Sequence, residues 1–194
     1  MSVGPRRGAC LFLLGAACLA GEEDEAGFES EGERASAEDA AADCGGGLPS
    51  WSAEWIALEE EVVVLMNARR AEGARCGGEG EFAPAAPLAT DHALRCAARA
   101  HARDMGENDY FDHVSPDGAT LEDRLDTWGY APERAAGEDI AGGYATAQDV
   151  VLGWMRSDGH CAIIMEPLFE DVGVGTYEAP EHELQVLWTA DFGG

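Results

Sequence analysis

The sequence predicts an α+β domain in which helices cover an antiparallel sheet. Three observations lead there. The middle of the chain carries apolar residues at helical spacing behind good capping residues, whereas the C-terminus switches to a period of two. The helical segments come first and the strands late. The chain also has 194 residues, 46% of them hydrophobic, with 5 tryptophans. That is enough for one domain with a real core and too little for two.

The domain starts near Trp51. In the first helix Trp55, Leu58, Val62, Leu65 and Met66 share a face, with Glu59, Glu60 and Glu61 opposite; Ser52 can cap it and Gly73 can stop it. A second helix runs from Thr90 to about Gly106 and carries Leu94, Ala98 and Met105 on one side. Thr120 and Asp123 stand in capping-box spacing before a short third helix with Leu121 and Leu125, which Gly129 ends. Thr146 and Asp149 repeat that spacing before a fourth, which presents Val150, Val151, Trp154 and Met155 and ends at Gly159. Leu184, Val186, Trp188, Ala190 and Phe192 then alternate with Gln185, Leu187, Thr189 and Asp191, the pattern of a half-buried strand. Residues 172–177 form its hairpin partner across the polar loop Glu178–Glu183.

Residues 1–20 read as an export signal rather than as fold. Arg6 and Arg7 precede an apolar run with Leu11, Phe12, Leu13 and Leu14, and small residues follow. The run is too short to span a bilayer as a mature helix. Two ends are open to it. Small residues before Cys18 form a loose lipoprotein box, in which Cys18 would be lipidated and tether the chain to a membrane; cleavage after Ala20 would release a soluble protein. Residues 21–49 are an acidic linker that cannot bury enough apolar area to offset its ordering entropy. Residues 50–194 are the domain.

The chain holds 38 acidic residues against 12 basic ones, a net charge of -26, and every basic residue is arginine. Charge attraction to nucleic acid or to an anionic membrane is excluded, and cations are favoured near the surface. The export signal places the domain outside the cytoplasm, at the cell envelope or beyond, in an oxidising setting. With Cys10 and Cys18 in the signal, Cys44, Cys76, Cys96 and Cys161 remain for structural disulfides, in any of three pairings.

Three segments carry the candidate chemistry. Residues 110–118, Tyr-Phe-Asp-His-Val-Ser-Pro-Asp-Gly, place His113 at the mouth of a tight turn. Residues 137–143 put Glu138 in a glycine-rich bend. Residues 154–161 place His160 just past a helix end, next to Cys161. Of the remaining histidines, His92 and His182 read as solvated and His101 as a hydrogen-bonded packing residue. Asn67 and Arg70 read as partners of backbone carbonyls or a carboxylate.

Taken in order, these segments resemble the CAP superfamily of cysteine-rich secretory proteins, antigen 5 and pathogenesis-related proteins, in its bacterial SCP-like branch. Asn67 and Arg70 match the family's N-x-x-R. Residues 111–118 match its aromatic-x-H-x-S-P-D-G segment, and Arg124 with Gly129-Tyr130 the R followed by G-Y. Residues 137–140 match G-E-N-I with Asp139 replacing the asparagine. Residues 154–160 match W-M-x-S-x-G-H, residues 173–175 match G-V-G, and Trp188-Thr189 the aromatic-threonine of the last strand. The likeness covers about residues 52–192. It implies an α-β-α sandwich with a small antiparallel sheet between helical layers and a shallow cleft. In animal members that cleft holds two histidines and two acids. His113, Glu138 and His160 fall on three of these positions, and the fourth falls on Ser157, which is too weak a donor to complete the set.

The resemblance implies a secreted or surface-tethered binding module. Its cleft would take zinc or another divalent metal, and a small-molecule or lipid-like ligand. A metal-assisted hydrolase acting on envelope or peptide substrates is the alternative, since two histidines, a carboxylate and an open position suit a zinc-bound water. Among the disulfide pairings, Cys76–Cys161 with Cys44–Cys96 is preferred, because a bridge at Cys161 would hold the segment that bears His160.

Overall fold

The computed structural model describes residues 43–194. The expected export signal with Cys10 and Cys18, and the expected linker up to residue 42, lie outside the described residues. Twelve elements follow in order. They are helix α1 (Ala53–Glu72), strand β1 (Ala74–Arg75), a 3-10 turn (Gly77–Glu79), β2 (Glu81–Phe82), β3 (Ala89–Thr90), α2 (His92–Glu107), α3 (Leu121–Trp128), β4 (Ala136–Gly142), α4 (Ala147–Arg156), α5 (Asp158–Met165), β5 (Asp171–Glu178) and β6 (Val186–Gly193).

The caps act as the sequence predicts. Ser52 Oγ accepts from the Trp55 amide, and Thr120 with Asp123 forms a reciprocal capping box on α3. Gly129 takes the left-handed conformation that ends α3. The main sheet has the order β3-β5-β6-β4. β5, β6 and β4 are antiparallel, with Gly173 opposite Asp191 and Glu138 opposite Asp191; β3 joins β5 in parallel. β1 and β2 form a separate hairpin.

Helices cover both faces. On one, Val62, Met66, Val150, Trp154 and Ile164 pack against Val172, Val174, Trp188, Ala190 and Phe192, so α1, α4 and α5 form one layer. On the other lies α2, with α3 behind it through Leu94, Ala97 and Leu125. β6 is therefore buried on both faces rather than half-buried. The sequence shows the alternation, and only the second helical layer covers its polar side.

The approach of α2 to the sheet is unusually close. A Cβ at Gly173 would run into the backbone of Leu94 and Arg95, and one at Gly175 into that of Ala98 and Arg99. The G-V-G signature thus exists because glycine alone leaves room for a helix backbone there.

α1 buries Val62 and Met66 as its apolar spacing suggests, but its inward face is rotated to take in polar residues as well. Ile56, Glu59, Val62, Met66 and Arg70 are buried. Glu59, expected on the solvent side, pairs with Arg99 of α2 at 2.6 Å and accepts the Thr176 amide at 3.1 Å. Burial pushes the Glu59 carboxyl up against the opposing pull of Arg99. Arg70 donates to the carbonyls of Ala86, Ile164, Glu166 and Phe169. The Asn67 amide exchanges two hydrogen bonds with the Leu88 backbone. Both residues are thus backbone clamps, as their reading suggests.

Two disulfides close the domain, Cys44–Cys96 and Cys76–Cys161. The preferred pairing is the one formed. The first ties the end of the acidic linker to α2, and the second ties the 3-10 turn to α5. Each is worth about 2–4 kcal/mol.

Gly173→Ala should destabilise the protein by at least about 3 kcal/mol, because backbone rather than a flexible side chain must yield. Denaturant unfolding measures this, and a loss below about 1 kcal/mol would show that α2 can lift from the sheet.

Candidate functional site

Glu138 organises the site. It lies within β4, not in a bend. Gly137 and Gly142 are there because Phe169 and Leu184 pack where their side chains would be. Glu138 is buried and faces α2, and three cations or potential cations surround its carboxylate. His113 Nδ1 lies 2.7 Å from Oε1, Arg124 Nη2 reaches Oε2, and His101 Nε2 stands 3.8 Å from Oε2. Burial alone would raise Glu138, but the His113 bond and the charges of His101 and Arg124 outweigh it and hold the group below the usual carboxylate range.

That ionised carboxylate only accepts, so His113 Nδ1 must be the donor. The remaining ring nitrogen, Nε2, is then the atom able to take a ligand. The Glu138 bond raises His113 above the ordinary histidine range, although partial burial opposes it. The His113 loop is held from behind. Arg124 donates to the carbonyls of His113 and Ala119, and the Tyr110 hydroxyl meets Ser115 Oγ at 3.1 Å and donates to Asp104. Phe111 and Val114 flank His113 and are exposed.

His160 sits elsewhere than expected. α4 stops at Arg156, Ser157 joins two helices, and Gly159 lies inside α5, so His160 belongs to the first turn of that second helix. Its proton affinity is lowered first by burial and then by the charge of His113, so its ring feels His113 while remaining neutral. Ser157, beside it, makes no capping bond through its side chain.

His101 is a packing residue, as read, and is fully buried. Its Nε2 meets the Asp112 carbonyl at 3.0 Å, and burial lowers its pKa to about 4 despite Glu138. His92 is exposed as expected. His182 is not solvated. It is buried in the turn between β5 and β6, where Nδ1 accepts the Leu184 amide at 3.0 Å. That bond is local, and no periodicity signals it.

Two further acids line the sheet. Asp191 faces Glu138 across the β4–β6 ladder, and Asp139 projects from the opposite face among the α1, α4 and α5 core. All four of their carboxyl oxygens are buried without a hydrogen-bond partner. Burial, then the charge of Glu138, pushes both well above the usual range. A protonated Asp139 is neutral, like the asparagine of the G-E-N-I motif. Arg124 and Asp191 carry roles that residue-by-residue reading did not assign. For Arg124 the signal was present, as the arginine before Gly129-Tyr130.

The profile of the cysteine-rich secretory protein family, CAP, matches residues 65–192. The chain belongs to this family. It is similar to the uncharacterized Bacillus subtilis protein YkwD, with 37% identity over 139 residues that cover 71% of this chain and 48% of that protein. It is also similar to the uncharacterized membrane protein YlbC of the same organism, with 38% identity over 90 residues, 46% of this chain and 26% of that protein. The chain thus spans about half or less of the curated relatives it matches.

Among solved structures, an extracellular SCP-domain protein from Bacillus anthracis superposes with a TM-score of 0.60 at 25% identity, over 75% of this chain and 45% of that one. An outer surface protein from Borrelia burgdorferi, at 21% identity, shares the fold with a TM-score of 0.51 over 69% of this chain and 92% of that one. No helix among the described residues is long and apolar enough to cross a membrane.

A group whose pKa rises on folding costs stability as pH climbs above its ordinary value. Asp139→Asn should therefore raise Tm at pH 7, with the gain shrinking toward about pH 4, where the unfolded carboxyl also takes its proton. Differential scanning calorimetry across that range checks it. An equal Tm for both proteins at pH 7 would mean that Asp139 is not held protonated.

Proposed function

We propose that this CAP domain is a secreted or surface-tethered binding module whose cleft holds zinc or a similar divalent ion on His113 and His160. One observation carries the reading. His113 donates its Nδ1 proton to the buried Glu138, which fixes the tautomer and leaves Nε2 for a ligand. Carboxylates oriented this way behind a histidine are a regular accompaniment of zinc sites. His160 is kept neutral at pH 7, as a metal ligand must be.

In this arrangement Glu138 supports a ligand instead of serving as one, since both its oxygens already accept hydrogen bonds. The two imidazoles suit a borderline metal better than calcium. Two protein ligands leave open positions for water or for a small bound molecule. The exposed Phe111 and Val114 supply apolar surface for a small or lipid-like ligand beside the ion. Glu138 has no free oxygen for proton transfer, so the geometry favours binding over hydrolysis.

Titration calorimetry with zinc tests the reading. The wild type should bind one ion, and a His113→Ala, His160→Ala double variant should give no heat. Binding should weaken as pH falls through the raised His113 pKa, thus from above pH 6.5, because the proton competes for Nε2. Equal heats from both proteins would make the histidines structural.

We also propose that Cys18 anchors the exported chain. Wild type should then partition into detergent and Cys18→Ser should not; a wholly soluble wild type overturns the anchor and leaves cleavage near Ala20.

A further inference from the structure

A second set of ligand-type side chains converges far from Glu138 in sequence and on different atoms. Cys44, His92 and Cys96 each bring one donor atom, and the three atoms lie within 4.8 Å of one another. His92 and Cys96 stand one turn apart on α2, so both side chains rise from one face. His92 Nε2 is 3.7 Å from Cys96 Sγ. A tetrahedral zinc, with Zn–S of about 2.3 Å and Zn–N of about 2.0 Å, holds such a pair about 3.5 Å apart. The helix has therefore already set one edge of a coordination tetrahedron. With the two sulfurs bonded to each other, no thiolate is available and one imidazole is left.

We propose that the Cys44–Cys96 bridge gates a second metal site: a dithiol reductant opens it, and Cys44, Cys96 and His92 then bind one zinc or comparably soft ion. The balance is simple. The reductant gives two electrons and two protons to the S–S bond and becomes a disulfide itself. The ion then displaces the two protons from the Cys44 and Cys96 thiols, with no further electron transfer.

The surroundings fit each step. To span an ion the bonded sulfurs must part to about 3.8 Å. Cys96 is buried in α2, so Cys44 is the end that moves. It precedes Gly45, Gly46 and Gly47, all at positive φ, and no helix or strand lies between residues 43 and 52. His92 is exposed and Cys44 half-buried, so reductant and ion can both reach the site. Arg99 Nη1 stands 3.8 Å from Cys44 Sγ, and a cation beside the sulfur suits a thiolate. The three donors leave a fourth position open for water. The bridge Cys76–Cys161 differs, with both sulfurs buried, and it forms no such three-donor group among the described residues.

The test uses the His113→Ala, His160→Ala protein, so that the cleft proposed above cannot supply the signal. The protein is treated with dithiol under native conditions, freed of reductant without air, and titrated with zinc and with cobalt(II), whose sulfur charge-transfer band reports thiolate ligands. Alkylation and peptide mapping should show Cys44 and Cys96 opened before Cys76 and Cys161. One equivalent of metal should bind after reduction and none before. Loss of an outer partner of a ligand costs about 10- to 100-fold in affinity, so His92→Ala should weaken binding at least about tenfold. Cys44→Ser should remove the site, and its circular dichroism without reductant shows that the opened domain stays folded. No uptake after reduction, uptake unchanged by His92→Ala or Cys44→Ser, or a bridge that opens only on unfolding would each overturn the proposal.

Discussion

Helix α2 rests on the sheet at backbone distance, and most of the molecule follows from that contact. β5 can carry no side chain at Gly173 or Gly175, because the backbone of residues 94–99 occupies that space. The close approach removes water from between helix and sheet, and it brings polar groups from both into a low-dielectric layer. Arg99 must then find a carboxylate, and Glu59 of α1 reaches across to provide it. His101 is pressed against the sheet in neutral form. Glu138, on the far side of the same layer, becomes a buried anion that needs cations around it.

The electrostatics of the site are thus a consequence of packing. One acid in this neighbourhood is ionised and its neighbours give way to it. Arg124 and His113 compensate Glu138, whereas Asp191 and Asp139, buried beside it, are pushed toward the protonated state. The strongly negative total charge says nothing of this. Most acids among the described residues are exposed, and the few that packing removes from water acquire distinct roles.

Local signals were read well where the chemistry is local. The caps at Ser52, Thr120 and Thr146 bond within their own turns, so their spacing is sufficient to place three helix starts. The hairpin of β5 and β6 follows from alternation on either side of a polar loop. The misreadings share a cause. Glu59 looked like a solvent-face residue because its partner lies 40 positions away. Glu138 looked like part of a bend because glycine serves both turns and close packing. His160 looked like the end of a helix because Gly159 can stop one, yet Ser157 had already joined α4 to a second helix. His182 looked exposed because its loop is polar.

The sequence by itself determined the α+β class, the family, and the identity of His113, Glu138 and His160 as the residues to watch; it left three cysteine pairings open, and the structure decided among them. Motifs of short span carry that information, since each requires a particular residue type at a particular local spacing. Only the tertiary structure decided what those residues do to one another. It made Glu138 the support for His113 rather than a free carboxylate, placed Arg124 behind both, and brought Cys44 to Cys96 on α2. Such roles depend on distance and burial, which arise when segments far apart in the chain share one water-free layer, and no pattern of neighbours along the sequence encodes them.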